Sequence, residues 1–157
     1  TGVDNKDNYI YMRHSDLTNY YAEAKIAVKS LENGERWGKF GLTITSADGA
    51  KGFFYYVDAA SADGTNINEN AIDLGYNPRS GVDAWAGMYR IAGNLGAGAT
   101  SADYMGEKYV TLGIYRQNGA FALYANGNYI TTVSGGIASD EESYVGIASF
   151  KIGRAHV

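Results

Sequence analysis

Two Asn-Gly dipeptides, Asn118-Gly119 and Asn126-Gly127, stand between runs whose apolar residues fall at every second position. A strand reverses its side chains at each residue, so such alternation buries one set and leaves the other outside. Asn-Gly accepts the positive φ of a two-residue turn and is the strongest short-range hairpin signal. Tyr109 to Arg116 places Val110, Leu112 and Ile114 on one face; the chain then turns into Phe121, Leu123 and Ala125, and again into Tyr129 to Val133. These residues predict a three-stranded antiparallel meander.

The same period recurs upstream. Tyr20, Ala22, Ala24, Ile26 and Val28 alternate with Tyr21, Glu23, Lys25 and Ala27. Phe40, Leu42 and Ile44 alternate with Gly41, Thr43 and Thr45, and Asp48-Gly49 then leads into Phe53 to Val57 as the neighbouring strand. Residues 58–81 read as mostly loop, with a short strand over Ile72 to Tyr76 and a bend or edge at Pro78. Trp85 to Ala92 reads as a further strand and 93–106 as glycine-rich loop. No helical period alternates with the strands, which argues against a parallel α/β sheet. About eight to ten strands in one domain, residues 1–151, predict an all-β fold: a two-sheet antiparallel β-sandwich or jelly roll.

Composition narrows the partners. The chain has 157 residues, a net charge of −4, 45% hydrophobic and 19% charged residues, which is globular and mildly acidic. It offers no basic stripe for nucleic acid, and no apolar run near the ~20 residues needed for membrane insertion. With no Cys there is no disulfide framework, thiolate metal site or cysteine nucleophile. Thr1 is not an initiator Met, so a fragment is expected, with any signal peptide outside it. The closing string Ile152-Gly153-Arg154-Ala155-His156-Val157 matches a reading frame through a widely used sequencing adapter. Residues 152–157 are therefore expected to be a non-native tail.

The meander also resembles a known superfamily. Leu112-Gly113-Ile114-Tyr115-Arg116-Gln117-Asn118-Gly119, Phe121-Ala122-Leu123-Tyr124-Ala125-Asn126-Gly127 and Tyr144-Val145-Gly146-Ile147 resemble the C-terminal half of concanavalin A-like jelly rolls. Laminin-G-like modules and keto-disaccharide-hydrolase-like domains are the most similar branches, over roughly Tyr9 to Phe150. The resemblance implies an extracellular or cell-surface module of a longer bacterial protein, lectin-like and carbohydrate-binding. Its motifs mark the fold, and lectins, hydrolases and spacers share them. The natural protein is then expected to continue past Lys151, and a chain cut there lacks the material that usually completes the closing strand and leaves an open edge.

Three chemistries make distinct demands on the residues. Glycoside hydrolysis needs two carboxylates flanking the scissile bond. No Glu-x-Asp-x-x-Glu run exists, Asp140-Glu141-Glu142 reads as a solvated turn, and an enzyme would gather Glu23, Asp58, Asp73 or Asp83 from separate strands. There is no Gly-x-Ser-x-Gly elbow, and His14 is the one credible histidine. No cofactor is required. A calcium ion is the one metal suggested, with hard oxygen donors Asp58, Asp63, Asn66, Asn68 and Asn70 on one loop.

Sugar binding needs flat aromatics beside planar polar groups. The candidate ligand-binding residues are Trp37, Tyr56, Asp58, Tyr76, Trp85, Tyr89 and Arg90; Arg116 falls on the core side, where it should snorkel to solvent or pair with an acid. Phe54, Tyr56 and Asp58 share a face if Phe53, Tyr55 and Val57 take the other. The leading expectation is a non-catalytic module whose partner is a glycan, a polysaccharide or a neighbouring domain of the same chain. A glycoside hydrolase or keto-disaccharide hydrolase is the alternative, and a structural spacer or adhesin module, its concave face filled or covered, is the third.

Overall fold

The alternating runs fold as strands, and every strand pair is antiparallel. The computed structural model describes the backbone of residues 8–12, 18–31, 37–61, 67–78, 89–91, 109–150 and 153–156, and the side chains of 18–26, 39–57 and 109–149. Among the described residues there are eleven strands and no helix. They are β1 (Asn8–Met12), β2 (Tyr20–Leu31), β3 (Trp37–Ser46), β4 (Gly52–Ser61), β5 (Ile67–Pro78) and β6 (Tyr89–Ile91). The second half holds β7 (Val110–Gln117), β8 (Ala120–Ala125), β9 (Asn128–Val133), β10 (Ser143–Phe150) and β11 (Gly153–His156). One sheet runs β1-β10-β3-β4-β5-β6 and the other β11-β2-β7-β8-β9.

The core lies between the sheets and is built by period two. Ala22, Ala24, Ile26, Val110, Leu112, Ile114, Phe121, Leu123 and Ala125 line one inner face; Phe40, Leu42, Ile44, Phe53, Tyr55 and Val57 line the other. Each large apolar side chain so buried contributes about 1.5–3 kcal/mol. Phe53 meets Phe121 edge-on at 5.2 Å across the layers, and the Tyr55 hydroxyl donates to the Tyr124 carbonyl at 2.9 Å. Burial pushes the Tyr55 phenol well above its ordinary range, so it remains a donor.

Asn118-Gly119 and Asn126-Gly127 make the turns their chemistry predicts. Asn118 and Gly119 have φ of 50° and 76°, and Asn126 and Gly127 have 49° and 80°. Two consecutive left-handed residues give the turn whose twist matches that of the flanking strands. The second turn is clasped to β7: Asn126 N–H donates to the Thr111 carbonyl at 2.8 Å, and Thr111 N–H to Asn126 Oδ1 at 2.9 Å.

Arg116 departs from expectation. It sits on the core side as the alternation requires, yet it is fully buried. Its guanidinium donates to Ser143 Oγ at 2.9 Å and to the carbonyls of Ala138 and Glu141 at 2.8 and 2.6 Å, and it lies 5.1 Å from the Phe121 ring centroid. Ser143 Oγ also meets Tyr20 Oη at 2.7 Å. The segment between β9 and β10 thus brings carbonyl oxygens to the strand end, and the charge is solvated by backbone.

β5 is a second departure. Instead of a short strand at Ile72–Tyr76, pairing with β4 extends it over Ile67–Pro78, with a register shift between Ala59 and Ser61. The ladder of β4 supports a strand whose Asn- and Asp-rich composition reads as loop, because β-propensity depends on the neighbouring strand. Of the strand predicted over Trp85–Ala92, Tyr89–Ile91 is described and pairs with Leu74–Tyr76. Gly153–His156, within the string expected to be a tail, runs antiparallel to β2.

Candidate functional site

The two sheets present very different outer faces. On the six-stranded sheet, Lys39, Thr43 and Tyr56 point away from the core, yet they are 3%, 1% and 1% exposed. The Lys39 ammonium lies 4.8 Å from the Tyr56 ring centroid, and Phe54 packs on Tyr56 at 5.0 Å. The split of Phe53, Tyr55 and Val57 from Phe54 and Tyr56 is as the alternation predicts. Tyr56, however, is enclosed and presents no ring face to solvent.

Backbone register locates several other sequence candidates on this sheet. Trp37 pairs with Ala60; Asp58 stands between Lys39 and Asp73; Arg90 faces Gly75, and Tyr76 lies between Tyr55 and Tyr89. The proposed calcium donors are not on one loop: Asp58 belongs to β4, and Asn68 and Asn70 belong to β5. Trp85, Asp63, Asn66 and Asp83 lie outside the described residues. Among the described residues no group of three or more His, Asp or Glu is placed to hold a metal ion. Glu23 is on β2, in the other sheet from Asp58 and Asp73.

The five-stranded sheet carries an open aromatic surface. Tyr21, Tyr115 and Tyr129 are 54%, 40% and 59% exposed, and Tyr124 is half-buried beside them. Tyr21 on β2 is in register with Tyr115 on β7, and Tyr124 on β8 with Tyr129 on β9. All four occupy positions alternate to core residues, so the burial of Ala22, Ile114, Leu123 and their neighbours dictates their outward aim.

Gly113 makes room for this surface. A Cβ added there would lie 2.7 Å from the Tyr21 hydroxyl oxygen and 3.3 Å from two ring carbons, so the Tyr21 ring rests on bare backbone. The Tyr21 hydroxyl donates to Glu23 Oε2 at 2.7 Å, and mainly this bond raises its pKa to about 12, with partial burial and the Glu23 charge adding to it. Tyr129 Oη hydrogen-bonds Thr132 Oγ1 at 2.9 Å, and its ring meets Tyr124 edge-on at 5.9 Å. Rings tethered in this way lose little freedom on binding a ligand. Exposed flat rings, hydroxyls, Thr111, Thr132 and one carboxylate can stack on C–H faces and hydrogen-bond a rim of hydroxyls.

No protein-family model and no curated protein sequence matches the chain. Among solved structures it is similar to a carbohydrate-binding module from Bacillus subtilis, with a TM-score of 0.52 and 16% identity over 95% of this chain and 80% of that one. The fold is a two-sheet jelly-roll β-sandwich. A Caenorhabditis elegans galectin aligns with this jelly roll at TM-score 0.49 and 13% identity, over 99% of this chain and 95% of the galectin. A Bacillus licheniformis beta-glucanase aligns at TM-score 0.44 and 13% identity, over 91% of the jelly roll and 64% of the glucanase. Among the described residues, no helix is long and apolar enough to cross a membrane.

Proposed function

We propose that the chain is a non-catalytic carbohydrate-binding module that engages glycan through the tyrosine face of its five-stranded sheet. The observation that carries this reading is the set of three exposed tyrosines, Tyr21, Tyr115 and Tyr129, around the half-buried Tyr124. A contiguous exposed aromatic patch on a small domain marks a binding surface. Each stacked ring contributes roughly 0.5–1.5 kcal/mol beyond burial, so two or three rings give micromolar-to-millimolar affinity. The similarity of the fold to a carbohydrate-binding module supports the same class of ligand. Affinity electrophoresis through gels containing neutral polysaccharides tests it: the native chain is retarded and a Tyr21→Ala/Tyr129→Ala variant runs free. A native chain that no polysaccharide retards refutes the proposal.

Asp58 facing Asp73 in the β4–β5 register favours a second reading, a glycoside hydrolase, whose two carboxylates would stand on adjacent strands. That reading predicts release of reducing sugar that Asp58→Asn and Asp73→Asn both abolish.

A further inference from the structure

We infer that the tyrosine face selects glycans that carry free amines: an amino-sugar chain whose protonated nitrogens meet Glu23. The inference rests on that face being the sugar-binding surface, and it names the class of sugar preferred there. Pairing register lays the outward residues in rows across the strands. One row holds Tyr21, Tyr115, Ala122 and Thr132, and the next holds Glu23, Gly113, Tyr124 and Tyr129. The exposed Glu23 therefore stands in line with two of the rings, with Gly113 between them under the end of the Tyr21 ring. From β2 to β9 a row spans three strand spacings, about 14 Å, which leaves room for more than one sugar ring.

The hydrogen-bonding inventory favours a ligand rich in donors. The Tyr21 hydroxyl spends its one proton on Glu23 Oε2, so towards a ligand this pair offers oxygen lone pairs alone. A sugar hydroxyl can donate one proton to them. An ammonium donates three, accepts none and adds a full charge, and such charge-assisted bonds are about twice as strong as neutral ones. The phenol rings act in the same sense, because a ring face attracts a cation within about 6 Å of its centre. A uronate or sulfate group is repelled by the same carboxylate. N-acetylation turns the ammonium into a neutral amide and forfeits the attraction.

Lys25 opposes this preference. It and Glu23 are the charged groups among the described side chains of this face. Register places Lys25 level with Thr111, one row beyond Glu23 on the side away from Tyr21 and Tyr115. Among the described residues it makes no ion pair with Glu23, and its long stem lets the ammonium turn out to water. The chain's net charge of −4 adds a longer-range pull on a polycation.

The test is titration calorimetry in mildly acid buffer with two oligosaccharides of equal length, one of glucosamine and the other its fully N-acetylated counterpart. The free-amine chain should bind about five- to ten-fold more tightly, and added salt should narrow the gap. Glu23→Gln keeps an acceptor for the Tyr21 hydroxyl but removes the charge, so the two affinities should come within about two-fold of each other. Glu142→Gln, which removes an exposed carboxylate outside this face, should leave the preference in place. Equal binding of both chains by the native protein overturns the inference. So does a preference that Glu23→Gln leaves intact or that Glu142→Gln removes equally. If both chains bind equally and Tyr21→Ala/Tyr129→Ala abolishes that binding, the tyrosine face still binds sugar and only the amine preference falls. If neither chain binds, the inference falls, and retardation in neutral polysaccharide gels then decides the wider reading.

Discussion

The outer faces of the two sheets use the same amino acids to opposite ends. Tyr56 and Tyr129 are both tyrosines, each beside another aromatic ring on the outward side of a strand, yet one is 1% and the other 59% exposed. Tyr56 acts as structure: its ring receives the Lys39 ammonium and is closed off from water. Tyr129 contributes almost nothing to burial and is held by a hydroxyl contact to Thr132 and by the edge of the Tyr124 ring. Alternation decides whether a side chain points inward or outward. What covers the outside decides whether an outward ring packs or binds.

Truncation is the harshest way to break this comparison. Tyr56→Ala should destabilise the fold by about 3–5 kcal/mol, as for other buried large side chains, and chemical denaturation measures it. Tyr129→Ala should shift stability by no more than about 0.5 kcal/mol. If the two variants unfold at the same denaturant concentration, the contrast between the faces fails. Arg116→Met tests the link between the sheets and should cost more than about 3 kcal/mol, because it strands the Ala138 and Glu141 carbonyls without a donor and leaves Ser143 only its Tyr20 partner of the two.

Binding gives the next largest effect. Losing the Tyr129 ring should weaken retention on a polysaccharide gel by roughly three- to ten-fold, and an unchanged mobility would remove Tyr129 from the site. Gly113→Ala sharpens the comparison without deleting any aromatic. Its methyl group would stand 2.7 Å from the Tyr21 hydroxyl oxygen and push the ring aside, so the bond to Glu23 should be lost and the Tyr21 pKa should fall from about 12 towards the ordinary value near 10. Ultraviolet titration reads this directly. The folded state binds this proton more tightly than the unfolded chain does, so the tether's contribution is complete below pH ~10 and disappears as pH rises through about 12.

The smallest effect lies at the other end of the pH scale. Lys51 Nζ reaches Glu141 Oε2 at 2.7 Å, and this pairing, with the Ala138 N–H, holds the Glu141 carboxyl below its usual range. Asp48 is lowered in turn by the Ser46 hydroxyl and the Ala50 N–H. Depressed carboxylates stabilise at neutral pH and lose that contribution as pH falls from their unfolded values through the lower folded ones. Stability should therefore decline gently below pH ~5, and Glu141→Gln should flatten the decline. Asp48 is exposed and Glu141 half-buried, both within reach of water, so high salt should reduce the effect.

Much of this was legible in the sequence. The two Asn-Gly turns, the Asp48-Gly49 hairpin and the inward sets on β2, β3, β4, β7 and β8 follow from period two and turn chemistry alone. The tyrosine face was legible in principle: aligning the runs through the two-residue turns puts Tyr115, Tyr124 and Tyr129 outside, and the inward Tyr20 puts Tyr21 with them. A search for aromatics beside Asp and Arg passes over them, because their polar neighbours are Thr, Gly and a single Glu. The enclosure of Tyr56 was not legible, since covering a face depends on contacts from distant parts of the chain. Nor was the length of β5, which the hydrogen-bonding demand of β4 extends beyond what its own residues favour.

The meander has a kinetic consequence. β7, β8 and β9 are joined by two-residue turns, so their contacts are short in sequence and hairpins of this kind close within about 1–10 μs. β3 must instead find β10, and β1 must find β10 too, from the opposite end of the chain. Such distant pairings carry the entropic cost of closing a long loop and come late. In refolding, protection of the Leu123 and Ile114 amides from hydrogen exchange should precede that of Val145 and Ile44. The meander would then be in place while the other sheet is still unpaired.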